Sequence, residues 1–204
     1  KTVNDFDLWL NSEDLAYSIP NAIYLLADNV DNPTIPYPIT EGTNWVYTWR
    51  QQFSAYSETS PIIWKDLYKA IYYYNTVLNN IDEATGDTGQ KESLKAEAQL
   101  GRAFHYLYLV NLYGKSYDPN TADEDLAVPF VTSNDLNEPT PDRSTVQEIY
   151  DYIVADLTAA IPDLPGNNDN NRFRGSVAAA YSVLARTYLY MGDYTKAAQN
   201  AQLA

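Results

Sequence analysis

Cysteine is absent from this 204-residue chain, and histidine occurs once, at position 105. The lack of cysteine excludes disulfides, thiol catalysis and thiolate metal sites within these residues. A single histidine also excludes a metal site built on a pair of histidines. No apolar run approaches the roughly 20 residues that a helix needs to span a bilayer.

Positive charge is scarce, because 13 Lys and Arg residues stand against 27 Asp and Glu residues, a formal net charge of −14. Such a surface repels phosphate backbones, so we expect no nucleic-acid partner. Anionic membrane surfaces are disfavoured for the same reason, whereas neutral ligands such as sugars are compatible with this charge. Lys1 is not an initiator methionine and no signal peptide is visible, so a processed or trimmed terminus is expected.

Tyrosine is abundant, with 19 residues, and 45% of the chain is hydrophobic, enough for a sizeable core. Tyrosine suits helix interfaces in which one end of the ring is dry and the other is wet. It also suits sugar-binding surfaces. Helix packing is the simpler interpretation and is expected to account for most of the 19.

Helical periodicity covers most of the chain, and no strand pattern rises above noise. In 61–83, apolar residues recur every three or four positions from Ile63 to Ile81, with Ser60 and Pro61 expected to start the helix. The fold class is therefore predicted as all-α, with tetratricopeptide-like helix pairs in a right-handed array with long irregular loops. The predicted helices are two short ones within 5–28, then 61–83, 92–113, 145–161, 176–191 and 194–204. A capping box should begin 145–161, from either Ser144 with Gln147 or Thr145 with Glu148.

The segment 29–60 interrupts this pattern. Pro33, Pro36 and Pro38 fall within six residues, a density that blocks both helices and central strands. Disordered segments are poor in aromatic residues, but this one contains six. We therefore expect a long ordered loop in which aromatic side chains cluster.

The stretch 176–204 matches a tetratricopeptide repeat. Tyr181, Leu184, Ala185 and Tyr188 follow the spacing of its first helix. An inter-helix turn at Gly192 and small residues in the second helix complete the pattern, although Ala201 stands where phenylalanine is usual. Trp64-x2-Leu67-Tyr68-x2-Ile71 reads as a second, divergent copy. Repeats of this kind bind many different partners, so the match indicates the fold and not the function.

Taken in order, the motifs resemble the SusD/RagB family of surface nutrient-binding lipoproteins. The most specific stretch is Glu97-Ala98-x3-Arg102-Ala103-x2-Tyr106-x2-Leu109-x3-Tyr113-Gly114. The other matching pieces are Leu26-Ala27-Asp28-Asn29, Trp64-Lys65-x-Leu67-Tyr68 with Asn75, Pro129, Arg143-Ser144-Thr145-x2-Glu148-Ile149-Tyr150, Asp156-Leu157-x2-Ala160, Leu164-Pro165 and 178–204. The resemblance covers about 26–204, so the chain is expected to form one helical N-terminal region, without the family's C-terminal half.

This resemblance implies a non-enzymatic protein on the outer leaflet of a Gram-negative outer membrane. It implies a lipid anchor upstream of residue 1, a SusC-like TonB-dependent transporter as partner, and delivery of oligosaccharides or, in some members, peptides. It implies no cofactor. The alternative is a tetratricopeptide adaptor that binds a peptide or protein in a concave groove; an enzyme is the third hypothesis, for which no motif is found.

Trp45, Tyr47, Trp49 and Arg50 are the predicted ligand-binding residues. Aromatic faces cover the flat C–H faces of pyranose rings, and a guanidinium donates hydrogen bonds to ring hydroxyls. In the family, the loop before the Trp-x2-Leu-Tyr helix contributes to the glycan face. The alternative is that Trp45 and Trp49, spaced as on a helix, fix the loop onto the core.

Other polar residues have structural interpretations. His105 is expected to be a packing or partly exposed helix residue, and Arg102 to pair with a carboxylate or to cap a neighbouring helix. Gly101 either permits a close helix approach or is simply tolerated. The run Asp118-x-Asn120-x2-Asp123-x-Asp125 departs from a calcium-binding loop at positions 122 and 123, so a solvated acidic loop and no metal is predicted.

Overall fold

A computed structural model describes residues 1–19, 42–49 and 63–204. Helices dominate these residues, which confirms the predicted all-α, tetratricopeptide-like fold class. The helices are α1 (Val3–Leu10), α2 (Glu13–Ala16), α3 (Gly42–Tyr47), α4 (Trp64–Asn80), α5 (Thr88–Tyr113), α6 (Val146–Ala160), α7 (Val177–Tyr190) and α8 (Tyr194–Leu203). Short 3-10 turns at Ile81–Glu83 and Ile161–Asp163 extend α4 and α6.

The 26-residue helix α5 lies at the centre, packed against α4 on one side and α6 on the other. The predicted apolar stripe of α4 is buried throughout, from Ile63 at 3% exposure to Ile81 at 0%. The largest core joins α4, α5, α6 and α7 around Tyr106 and Tyr150. The three middle helices therefore form one packed layer that determines where the loops emerge.

A second, smaller core fixes the N-terminus. Val3, Phe6 and Leu10 recur along one side of α1 and are all buried. They pack against the early part of α5 and the middle of α4, including Tyr74. A capping box begins α1, in which the Thr2 hydroxyl accepts from the Asp5 amide and the Asp5 carboxylate accepts from the Thr2 amide. The N-terminal segment is thereby held beside the middle of the helical layer.

The C-terminal pair has the expected repeat geometry. Gly192 has φ +77°, a left-handed conformation that glycine adopts without steric cost, and it turns the chain between α7 and α8. Asp193 then caps α8 by accepting from the Lys196 amide at 3.0 Å. Leu184 and Ala197 are buried between the helices.

Four details differ from the sequence predictions. Helix α5 begins at Thr88, four residues before the predicted start at 92. Helix α4 begins at Trp64, later than predicted, and Ser60 and Pro61 lie outside the described residues. Within the predicted loop 29–60, residues 42–47 form helix α3, and of that loop only 42–49 are described. A small antiparallel sheet pairs β1 (Leu126–Pro129) with β2 (Arg143–Thr145), which the sequence did not predict.

The start of α6 settles a choice that the sequence left open. Thr145 and Glu148 form the capping box, in which the Thr145 hydroxyl accepts from the Glu148 amide and the Glu148 carboxylate accepts from the Thr145 amide. No helix in the described ranges has both the length and the apolar character needed to cross a bilayer.

Candidate functional site

The predicted aromatic residues lie on α3 and just beyond it. Trp45 and Tyr47 are helical and partly exposed, whereas Trp49 follows the helix with 68% of its surface exposed. The Thr48 hydroxyl donates to the carbonyls of Asn44 and Trp45, at 2.8 and 3.3 Å. The end of α3 is thus closed by a side chain, and the exposed indole lies directly after it.

Trp49 has an unusual backbone conformation. Its φ is +53°, and no other non-glycine residue among those described has a positive φ. The left-handed conformation costs an L-residue roughly 1–2 kcal/mol. Such costs concentrate at functional positions, and here the residue that bears the cost has its indole on the surface. Arg50, the next residue, lies outside the described residues.

The four candidates are only partly brought together. Tyr47 is two residues from Trp45, about 200° around a helix axis, so these two rings lie on different sides of α3. Trp45 and Trp49 both keep an accessible surface, as a stacking platform requires. Their grouping with Tyr47 and Arg50 as one ligand-binding surface stays a prediction.

Arg102 joins the three middle helices. Its Nε and Nη2 donate to the two carboxylate oxygens of Asp156 on α6, at 2.8 and 2.9 Å, while Nη1 donates to Asn75 Oδ1 on α4 at 2.9 Å. The side chains of Arg102 and Asp156 are only 12% and 11% exposed. A planar guanidinium suits this two-point contact, and the predicted pairing of Arg102 with a carboxylate is confirmed.

Arg174 makes a second buried network that ties the turn before α7 to the N-terminus. It donates to both carboxylate oxygens of Glu97, at 2.6 and 2.9 Å, and to Asp7 Oδ1 at 2.8 Å. Asn171 adds a side-chain bond to Asn11 at 2.9 Å. The turn is therefore fixed against both α1 and α5.

The segment 129–134 lies across α4 and is held by side chains. Its backbone carbonyls accept from α4: Tyr68 donates to Pro129 at 2.7 Å, Asn75 to Val131 at 2.8 Å and Asn79 to Thr132 at 2.8 Å. Sequence reasoning missed this role. The available signal was a pair of asparagines, Asn75 and Asn79, one helical turn apart on α4.

A cavity of about 330 Å³ opens between the end of α2, helix α5 and the turn that precedes α7. Its floor holds His105, which is 2% exposed. The two ring nitrogens lie 2.7 Å from the Gly101 carbonyl and 2.7 Å from the Ser18 hydroxyl. Burial lowers the pKa of His105 to about 4, against the opposing effect of the hydrogen bond to Gly101.

These contacts determine the tautomer of His105. The Gly101 carbonyl can only accept, so Nδ1–H of the neutral ring donates to it. Nε2 then accepts from the Ser18 hydroxyl, whose single hydrogen is shared with the Leu15 carbonyl, also 2.7 Å away. His105 is thus a buried packing residue, as predicted. Gly101 permits a close helix approach, because a Cβ there would lie 2.2 Å from the Tyr74 ring.

The acidic loop 118–125 makes its own local contacts. The Asp118 carboxylate accepts from the backbone and side chain of Asn120, and both hydrogen bonds lower its pKa. Asp125 pairs with Lys115 and accepts from Thr121. In the part of the chain that the structure describes, no group of three or more acidic or histidine residues is arranged to hold a metal ion.

Comparison with known proteins identifies the family of this chain. Residues 21–189 match the family model SusD-like_3, described as starch-binding associating with outer membrane. The chain belongs to this SusD-like family. The SusD-like protein P2 of Formosa agariphila is 33% identical over 139 residues, which are 68% of this chain and 26% of that protein.

Solved structures share the fold. A SusD superfamily protein from Bacteroides thetaiotaomicron superposes with a TM-score of 0.79 at 26% identity, covering 99% of this chain and 45% of that one. A laminarin-binding SusD-like protein has a TM-score of 0.76 at 23% identity, over 99% of this chain and 43% of its own. The chain therefore spans less than half the length of these solved relatives.

Proposed function

We propose that this chain is the helical part of a cell-surface protein that binds oligosaccharides and delivers them to a TonB-dependent outer-membrane transporter. Membership of a starch-binding family that associates with the outer membrane supports the ligand class and the location. Delivery to a SusC-like partner and a lipid anchor upstream of residue 1 extend this proposal. A relative of the same fold is named for binding laminarin, which agrees with a glycan ligand.

The exposed Trp49 is the single observation that carries the proposed binding site. One face of an indole stacked on a pyranose removes on the order of 50 Å² of apolar surface from water, worth roughly 1–1.5 kcal/mol. Trp45, four residues before Trp49, extends this aromatic surface in the proposal, Tyr47 contributes from another side of α3, and Arg50 supplies donors for hydroxyl groups. A few such contacts sum to about −4 kcal/mol, so binding is expected in the high micromolar to millimolar range.

The electrostatics agree with a neutral ligand. At a formal charge of −14, the chain repels anionic polymers and leaves neutral sugars unaffected. We assign binding and not catalysis, since the single histidine is buried and neutral and is engaged by Ser18 and Gly101. The polar networks at Arg102 and Arg174 lie between helices, where they support the scaffold.

Calorimetry with a panel of neutral oligosaccharides tests the site, using the wild-type protein and Trp49→Ala. The matched control is Tyr194→Ala, which removes another aromatic ring of similar exposure, 70%, from α8. We expect about tenfold weaker binding for Trp49→Ala, the equivalent of 1.4 kcal/mol, and no change for Tyr194→Ala. Equal affinities for all three proteins would remove Trp49 from the binding site.

Delivery is tested separately, by affinity purification of the protein from native outer membranes. Recovery of a TonB-dependent transporter with it, retained in Trp49→Ala, is the expected result. Recovery of a soluble peptide partner in place of a transporter would favour the tetratricopeptide adaptor.

A further inference from the structure

Phe173 lines the 330 Å³ cavity, and a second exposed aromatic ring, that of Tyr17, packs against it from outside the cavity lining. Tyr17, at the end of α2, is 74% exposed, and Phe173, in the turn before α7, is 72% exposed. Their ring centroids are 6.3 Å apart at an interplanar angle of 51°. Single exposed aromatics are ordinary on protein surfaces, but a pair beside a cavity is typical of a ligand site.

The turn that carries Phe173 is rigid. Arg174, the next residue, is anchored to Glu97 and Asp7, and Asn168 donates to the Arg174 carbonyl at 2.9 Å. Asn171 is bonded to Asn11 at 2.9 Å. The exposed ring is therefore held in place before any ligand arrives, which lowers the entropic cost of binding.

The cavity combines apolar walls with polar groups. Leu100, Phe104 and Val183 line its sides, while Ser18 and His105 form its floor. Arg172 lines the same cavity, and its guanidinium makes no ion pair with any residue that the structure describes. The Arg174 guanidinium is paired with Glu97 and Asp7, so Arg172 is the cationic hydrogen-bond donor that this cavity offers to a ligand.

We propose that this cavity is a second carbohydrate site, which takes one neutral pyranose ring and whose lining includes none of the residues Trp45 to Trp49. Phe173, supported by its contact with Tyr17, covers the C–H face of the sugar, and Arg172 and Asn168 bond its hydroxyls. A volume of about 330 Å³ lies at the lower limit of ligand pockets, which suits one sugar unit and not a longer segment.

His105 provides a direct reporter for this site. It is the only histidine in the chain and lies on the cavity floor, so its Cε1–H resonance is unique and senses an occupant. The experiment titrates the protein with four methyl glycosides: the α- and β-glucosides, the β-galactoside and the α-mannoside. The His105 resonance is followed in wild type, Phe173→Ala, Arg172→Ala, Tyr194→Ala and Trp49→Ala.

We expect at least one glycoside to shift the His105 resonance with a millimolar Kd. Phe173→Ala should weaken that binding roughly fivefold to tenfold, the loss of one stacked face, and Arg172→Ala should weaken it about threefold. Tyr194→Ala and Trp49→Ala should leave it unchanged.

Two results would overturn the proposal: no glycoside shifts the His105 resonance, or Phe173→Ala binds as tightly as wild type. Trp49→Ala changes only the α3 surface. A loss of oligosaccharide binding in that variant therefore tests the α3 surface and does not depend on the cavity at Phe173. The failure of one site is therefore distinguishable from the failure of the other.

Discussion

We expect His105 to make the stability of this protein sensitive to mild acid. Its pKa is about 4 in the folded protein, compared with 6.5 for an unperturbed histidine. The unfolded chain therefore takes up a proton first as the pH falls. The contribution of the neutral His105 ring to the free energy of unfolding is fully present above pH 6.5 and is lost as the pH drops towards 4. Each unit of difference between the folded and unfolded pKa values changes the free energy of unfolding by about 1.4 kcal/mol, so the full effect is roughly 3 kcal/mol.

The assay compares urea unfolding of wild type and His105→Gln at pH 7, 6, 5 and 4.5. Glutamine can still donate to the Gly101 carbonyl but does not titrate, so it isolates the contribution of the histidine. Carboxylate titrations are shared by both proteins and cancel in the difference. Below pH 6, wild type should lose stability relative to the variant by about 1.4 kcal/mol per pH unit.

A second measurement follows the His105 Cε1–H resonance of the folded protein directly. It should remain at its neutral position down to about pH 5. A folded-state midpoint between pH 6 and 7, or stability curves for the two proteins that run parallel from pH 7 to 4.5, would show that burial does not hold this ring neutral.

Two further substitutions test the scaffold by urea unfolding at pH 7. Asp156→Ala leaves the buried guanidinium of Arg102 without its carboxylate and should cost about 3 kcal/mol or more. The matched control, Asp82→Ala, breaks the exposed pair with Lys95 and should change stability by less than about 1 kcal/mol; similar losses in both variants would contradict the difference in burial. Thr145→Ala removes the N-cap of α6 and should cost about 1 kcal/mol, whereas Thr145→Ser should restore most of it.

Helices with one buried face were predictable, because a period of 3.6 residues is visible in the sequence itself. Every position assigned to the main stripe of α4, from Ile63 through Leu67 to Ile81, is buried. The turn at Gly192 and the cap at Asp193 were predictable for a related reason, since each depends on the local chemistry of one residue.

The β1–β2 pair could not be found in the same way. Its strands contain four and three residues, too few for an alternating pattern, and one of them ends in Pro129. Their pairing depends on tertiary contacts, including Tyr68 and Arg143 side chains that reach backbone carbonyls of β1. Helix α3 was missed because the helix-blocking effect of Pro33, Pro36 and Pro38 was assumed for the whole segment 29–60. The spacing of Trp45 and Trp49 had nevertheless indicated a helix.

The two candidate sites differ in the same way, in whether their residues are close together in the sequence. Trp45, Tyr47, Trp49 and Arg50 are neighbours in the chain, so their clustering was visible in the sequence and their use as a ligand surface stays a prediction. The cavity at Phe173 is assembled from residues far apart in the chain, and no local pattern joins Tyr17 to that turn. Only the packing of α1, α2 and α5 brings them together.

The hydrogen bonds of Arg102 have a mechanical consequence for the helical layer. One guanidinium is bonded at the same time to α4 and α6 from a position on α5. Sliding any of these helices by one turn would break at least one charge-assisted bond in a nearly dry environment, with no equivalent partner in register. The layer is therefore expected to move as a single rigid plate, so that a ligand captured at its edge displaces loops without deforming the plate itself.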